Sequence, residues 1–385
     1  MNALPTLRGR FLGALNYSPC GPLPNVEFGY WDETLDKWRE EGLPSNLDVY
    51  EVEEYFGLEK CFPCYNRCEI DMNLRFEPFE EVVFWENEEK ICKRGADGVV
   101  RIEFKKGRSS IPKYIEFPVK DRETWHEYRE RYDVESISNP PMCQYFNEVY
   151  NLEEVEVHDI IHEFMLDGEP WSPVGVRAGG FFGWARSIMG LETLVKTFYT
   201  DPDLIREMFT FRREITLKWL REILPRFRFD FSHWWEDMCY NKGPLISPKL
   251  FKEYMVPEYK RITSYLEEYG VKLHILDSDG DVTELAPLWL EGGINCLFPC
   301  EIRGGSDPLK LREKCGRELR LMGGVDKIAV KKGEKATRKW LSYLLPLIRE
   351  GGFIPFIDHR VPPDVPLMHY RKYLEMKVGY LRVAV

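Results

Sequence analysis

No run of apolar residues in this 385-residue chain approaches the length of a membrane span, so a helical anchor is not expected. The opening residues, MNALPTLRGRFLGAL, lack a long apolar core and a small-residue cleavage site. No export signal is therefore expected, and the expected location is cytoplasmic. Basic charge is in deficit: 53 Lys and Arg stand against 64 Asp and Glu, for a net charge of −11. Nucleic acid and anionic membrane surfaces are accordingly not expected as partners. GxGxxG and Walker A motifs are absent, which argues against a nucleotide-binding open sheet. Ten cysteines without export read most simply as free thiols.

What is present suffices for a large core. Hydrophobic residues make up 44% of the chain and aromatic residues 14%, which fits one large barrel or two modest domains. Residues 1–60 read as a helical lead-in. Leu7, Phe11 and Leu15 share one face, and Trp31, Leu35 and Trp38 share another. A further short helix is expected within Asn46–Leu58. Residues 61–120 read as a small antiparallel β insertion or lid, with strands at Met72–Phe79, Val82–Asn87, Lys90–Arg94, Val99–Lys105 and Lys113–Phe117.

Residues 121–385 alternate strand and helix. Strands are expected at Val174–Ala178, Phe227–Ser232, Val271–Leu276, Asn295–Pro299, Leu319–Met322 and Phe353–Ile357. Helices are expected at Leu191–Tyr199, Asp203–Leu224, Pro248–Tyr269 and Ala336–Arg349, and a helical face at Trp125, Tyr128 and Tyr132. Such alternation implies parallel strands with right-handed crossovers, as a closed (β/α)8 barrel or an open doubly wound sheet.

Polar residues collect after each of these strands. The most concentrated group is KLHILDSDGD, where Asp277, Asp279 and Asp281 surround Gly280 at a strand end. Like charges held together need a metal, a basic or proton-donating group, or turns to cap. Elsewhere the groups are Gly179 to Gly183, with Phe181 and Phe182; then Trp234, Trp235, Glu236 and Asp237; Cys300 and Glu301; Asp326 and Lys327; and Asp358, His359 and Arg360. In a barrel they would converge on the C-terminal mouth. Blander readings stand beside these. Asp281 fits an N-cap of the next helix. His274 fits the strand interior, and His359 alone would fit a structural hydrogen bonder. Asp326 and Lys327 fit an ion pair, although a lysine at a barrel mouth is also a candidate acid. Cys61, Cys64 and Cys68 have a CxxCxxxC spacing that could hold zinc or part of an iron–sulfur cluster. No second CxxC supports it, so they read as thiols.

Several stretches together resemble the uroporphyrinogen decarboxylase superfamily. They are DSDGD, GGVDK, GGFIPFIDHRVPPDVP, RAGGFFGWARSIMGLETLVKTFYTDPDLIREMF (177–209) and WWEDMCYNKGPLISPKLFKEYMVPEYKRI (234–262). RFLGALNY and YWDETLDKWREEGLP match more weakly. The resemblance implies a (β/α)8 TIM barrel with its site in the C-terminal mouth. One activity of that superfamily is cofactor-free decarboxylation of a tetrapyrrole, which relies on an RQAGRY-like arginine clamp. That clamp is missing, since Arg8, Arg10 and Arg39 stand in other contexts. The other is methyl transfer with a corrinoid protein, where zinc is held by a His-x-Cys pair and a later Cys. Alignment puts Asp277 and Asp279 at the pair and His359 at the later position. Two carboxylates and an imidazole make a harder site, less suited to activating a thiol.

The expected function is therefore a corrinoid-dependent methyltransferase of the O-demethylase type. It would take a methyl group from a small donor, methoxy-aromatics among the candidates, to a corrinoid carried by a partner protein. The alternatives are tetrapyrrole decarboxylation and a non-catalytic ligand- or corrinoid-binding barrel. The expected catalytic residues are Asp277, Asp279, His359, Glu236 and Lys327, with Asp277, Asp279 and His359 also holding zinc or another divalent metal. Phe181, Phe182, Trp234, Trp235, Asp237, Glu301 and Asp358 are expected to contact substrate. The resemblance also admits a homodimer.

Overall fold

The computed structural model describes residues 5–63, 69–72, 74–105, 111–137, 142–147, 151–156, 165–166 and 169–384. Seven parallel strands form its centre, hydrogen bonded in sequence order. They are β1 (Glu69–Met72), β2 (Gly175–Gly179), β3 (Phe231–Trp235), β4 (Leu273–Asp277), β5 (Cys296–Phe298), β6 (Arg320–Val325) and β7 (Phe353–Ile357). Helices lie between successive strands from β2 onward, as parallel connections require. The fold is thus mixed α/β and like a TIM barrel. Among the described residues no ladder joins β7 back to β1. The open edge of β1 instead carries an antiparallel hairpin, Met142–Asn147 with Asn151–Glu156.

The sheet is nevertheless rolled. On β3, Phe231 and His233 face inward, and both contact Phe62, a residue that precedes β1. Phe62 also meets Phe298 on β5, with ring centroids 5.2 Å apart. The inner faces of β3 and β5 thus share one ring that precedes the first strand. The alternate residues face outward: Trp234 packs on Tyr259 of the helix Val256–Glu268. Beside β7, the lead-in segment runs close by, with a parallel bridge between Tyr30 and Val361.

The lead-in contains the expected helices, at Leu7–Leu15, Asp32–Glu40 and Val49–Tyr55. Asp48 and Glu51 form a capping box on the last. Phe11, Leu15, Leu35 and Trp38 are buried. The insertion holds a four-stranded meander, Val82–Glu86, Lys90–Arg94, Val100–Phe104 and Lys113–Glu116.

Other expected boundaries need correction. The strand expected over Met72–Phe79 is two elements: β1 in the central sheet, and Arg75–Phe76 paired with Tyr132–Asp133. A four-residue strand reading EIDM carries too little pattern to show which sheet it joins. The strand expected at Phe227–Ser232 begins later, at Phe231, because Asp230 is held by Arg8 at 2.7 Å and by the amide of Val174. Pro248–Tyr269 is two helices, Pro248–Tyr254 and Val256–Glu268. Pro257 has no amide to donate and disfavours helical geometry just before it. Cys64 and Cys68 lie outside the described residues, and Cys61 is buried. No helix among the described residues is long and apolar enough to cross a membrane.

Candidate functional site

The C-terminal ends of β3, β4 and β7 meet around three carboxylates. Asp237, Asp277 and Asp279 each offer an oxygen within 4.8 Å of the others. Asp277 ends β4 on the inward-facing register of Leu273 and Ile275. Asp279 follows in the turn, and its amide donates to Asp237 Oδ1 at 3.3 Å. The turn depends on Gly280, with φ +81°; a Cβ there would lie 2.5 Å from the Cys239 carbonyl carbon. Asp237 itself has φ +48°. Arg186 fixes it by donating to its carbonyl oxygen at 2.5 Å, and lies 3.6 Å from its carboxylate. Burial, and then the Asp279 charge, raise Asp237 above the usual carboxylate range.

His359 reaches this cluster from β7. Its Nε2 lies 3.1 Å from Asp279 Oδ2. The Trp31 ring stacks on the imidazole at 5.6 Å, and Phe28 meets it edge-on at 5.8 Å. Burial alone would lower the His359 pKa, but the hydrogen bond and charge of Asp279 outweigh it and the net shift is upward. The other oxygen of Asp279, Oδ1, is shielded from solvent and has no hydrogen-bond partner.

An ion-pair network adjoins this centre. Lys327 Nζ donates to Glu301 Oε1 at 2.9 Å, and the amide of Gly280 donates to Glu301 Oε2 at 3.2 Å. Burial works against the Lys327 charge, yet Asp358 and Glu301 raise its pKa overall, so it is held as an ammonium. Asp358 is buried and accepts from the amides of Ile302 at 2.9 Å and Lys327 at 3.0 Å. Burial pushes its pKa up to about 6. It rivets the loops after β5 and β6.

The expected residues therefore divide. Asp237, Asp277, Asp279 and His359 come together, with Glu301 and Lys327 beside them. Glu236 does not join them. It is fully buried, accepts from the amides of Phe181 (2.7 Å) and Gly183 (2.8 Å), and also takes the Tyr259 hydroxyl. It thus caps the start of the helix Phe182–Met189, and burial raises its pKa despite those donors. Phe181, Phe182 and Trp234 are buried too, so the expected aromatic wall shrinks to Trp235. Phe181 packs on Phe209 and Tyr259. Asp281 accepts from the Thr283 amide at 3.0 Å, but the next helix starts only at Ala286, so Asp281 caps a turn. Asp326 caps Lys327–Lys331 and pairs with Arg303 instead of Lys327. His274 faces outward, hydrogen bonded to Ser232 at 2.7 Å, with its pKa lowered by burial to about 3.

Sequence reasoning missed Arg186 and Trp31. Trp31 was expected on a helix face; it is the residue before that helix and turns to His359. An indole immediately before an acidic first turn was the available signal. Arg186 gave none, since helical arginines are common.

The compact oxygen set is Asp237, Asp277 and Asp279; His359 joins only through Asp279. An all-oxygen set with one shielded, unpartnered oxygen fits a hard divalent cation better than a thiolate-type zinc.

No protein-family model matches the chain, and no curated protein does. Among solved structures it is similar to a methyltransferase from Methanosarcina mazei, at 13% sequence identity and a TM-score of 0.53. The match covers 97% of this chain and 98% of that one. At that identity the likeness speaks for the fold.

Proposed function

We propose that this chain is a methyltransferase of the uroporphyrinogen decarboxylase superfamily, moving a methyl group from an oxygen or nitrogen of a small donor to a corrinoid on a partner protein. The observation that carries this reading is the Asp279–His359 pair, set among carboxylates where the strands end. The likeness of fold to a protein named as a methyltransferase supports it.

The chemistry asked of the site is modest. The donor's methyl carbon passes to reduced cobalt as its bond to the heteroatom breaks. The bonding pair stays on the heteroatom, which takes up one proton and leaves as an alcohol, phenol or amine. An unprotonated alkoxide or amide anion is a poor leaving group, so the proton must arrive as the bond breaks. The proton held between His359 Nε2 and Asp279 Oδ2 meets that need, and general acid help of this kind is worth about 10²–10⁴-fold. Lys327 and Glu301 hold the Asp279 turn through Gly280 and orient the donor. Trp31 and Phe28 fix the imidazole plane. Asp237, Asp277 and Asp279 would hold a divalent metal, zinc or a harder ion, which when bound supplies Lewis-acid polarisation of the heteroatom.

The test is to incubate the protein with cob(I)alamin and either methoxybenzene or methylamines, following cobalamin absorbance, with metal content measured on the same sample. Methylcobalamin formed in proportion to enzyme supports the reading. No methylation by the wild-type protein, with or without added divalent metal, overturns it.

A further inference from the structure

Arg212 lies on the helix Pro202–Ile223, which joins β2 to β3. Two other arginines of that helix are paired, Arg206 with Glu253 and Arg213 with Glu258, each at 2.5 Å. Among the described residues no carboxylate pairs with Arg212. Its Nε is shielded from solvent and has no hydrogen-bond partner. Burial lowers its pKa, yet a guanidinium keeps its proton at neutral pH. A charge drawn partly out of water without a partner costs stability.

The fold makes room for this group. Gly179 ends β2 with φ +91°, and a Cβ there would stand 2.7 Å from Arg212 Nη2. The guanidinium therefore lies against the C-terminal end of β2, at the end of the sheet where Asp237, Asp277 and Asp279 gather. The Trp184 ring is 5.7 Å from Arg212 Cζ, and its own N–H donates to the Tyr132 hydroxyl at 3.4 Å. The carboxylates whose charge reaches Arg212 are Asp71 and Glu236, and both are engaged elsewhere. Asp71 lies 3.7 Å from Arg177, and Glu236 spends both oxygens on the amides of Phe181 and Gly183. Arg212 as a whole is only partly buried, so a solute can reach it.

We propose that Arg212 is an anion receptor and that its ligand is a small organic acid. The carboxylate is bound by two parallel N–H donors of the guanidinium, the geometry that this pair of groups prefers. The carbon body of the acid lies against the Trp184 ring. The ligand supplies the counter-charge that Glu258 supplies to Arg213 within the chain. This inference goes beyond methyl transfer and does not depend on it.

The test is calorimetric titration of the full chain with benzoate and with its neutral isostere benzamide, repeated with Arg212→Met and Arg212→Lys. Methionine keeps an unbranched stem and removes the charge. Benzoate should bind the wild type at least about tenfold more tightly than benzamide. Arg212→Met should lose that preference, and Arg212→Lys, which keeps the charge but not the fork, should retain part of it. Urea denaturation gives a second readout. Without ligand, the Arg212→Met midpoint should equal or exceed that of the wild type. Benzoate should raise the midpoint of the wild type and leave that of Arg212→Met in place. Equal benzoate binding by wild type and Arg212→Met overturns the proposal, and so does no binding by the wild type. An Arg212→Met protein that fails to fold, or unfolds at clearly lower urea, overturns it too, because the arginine is then structural. No corrinoid or methyl donor enters the measurement, so failure here leaves the methyl-transfer reading untouched.

Discussion

Asp279 and His359 meet at 3.1 Å although they follow β4 and β7, with β5 and β6 between them in the sheet. A flat sheet would hold those strand ends about 14 Å apart, at the usual spacing between neighbours. The contact is therefore a product of curvature. It also raises the pKa of a histidine that burial alone would lower.

If the pair acts as one proton donor, its two members cannot be lost twice. Asp279→Asn and His359→Gln should each lower the methyl-transfer rate by about 10²–10⁴-fold. The double variant should be little worse than either. Thermal midpoints should move little, because neither residue is part of the packed core. A double-mutant cycle on kcat checks the coupling; additive losses would mean separate roles.

Gly280 sets the turn that delivers Asp279. Gly280→Ala places a Cβ against backbone 2.5 Å away and forces a positive φ on a residue that resists it. The expected cost is about 1–3 kcal/mol, read from urea denaturation, with activity lost beyond what residual unfolding explains.

His274 makes stability depend on pH. The Trp234 indole donates to the Ser232 hydroxyl at 2.9 Å, and that hydroxyl shares a 2.7 Å hydrogen bond with His274 Nδ1. The folded imidazole is neutral, with a pKa near 3 against 6.5 for the free side chain. Well above pH 6.5 both states are neutral and His274 contributes no slope. Below it the unfolded chain gains a proton that the folded chain refuses, so stability falls as pH falls. The slope should approach about 1.4 kcal/mol per pH unit between pH 6 and pH 4 from this group. His274→Gln should flatten urea midpoints over that window by the same amount.

Behind β7 lies a buried ion pair. Lys377 Nζ donates to Glu27 at 2.7 Å, Tyr373 donates to the same oxygen at 2.6 Å, and the Ile357 amide donates to the other at 3.0 Å. Glu27→Gln leaves a buried ammonium without its counter-charge and should cost about 3–5 kcal/mol of stability. It should also disturb His359, two residues beyond Ile357. Denaturation with activity measured well below the midpoint separates the two effects.

Much of this was legible in the sequence. Strand–helix alternation, and carboxylates placed after successive strands, pointed to a mouth, and Asp277, Asp279 and His359 are at or beside it. Boundaries were less legible where a side chain outranks propensity: Asp230, drawn to Arg8, delays β3 and makes Trp234 and Trp235 strand residues. Once they are in the strand, alternation sends Trp234 outward and Trp235 inward, which no composition count reveals. Glu236 misled for a similar reason. Its neighbours look like a cleft, but its carboxylate closes the end of a helix that begins 54 residues earlier. Such caps depend on tertiary placement and leave no local trace. Trp31 belongs to the site through the lead-in's bridge between Tyr30 and Val361, residues 331 apart.

The most direct test of the account is transfer of an isotopic label in a single turnover. The protein is given cob(I)alamin and methoxybenzene carrying a deuterated methyl group, and the cobalamin product is weighed by mass spectrometry. The account predicts deuterated methylcobalamin from the wild type, and at least about a hundredfold less from the Asp277→Ala, Asp279→Ala double variant. Deuterated methylcobalamin formed equally by both proteins would contradict it.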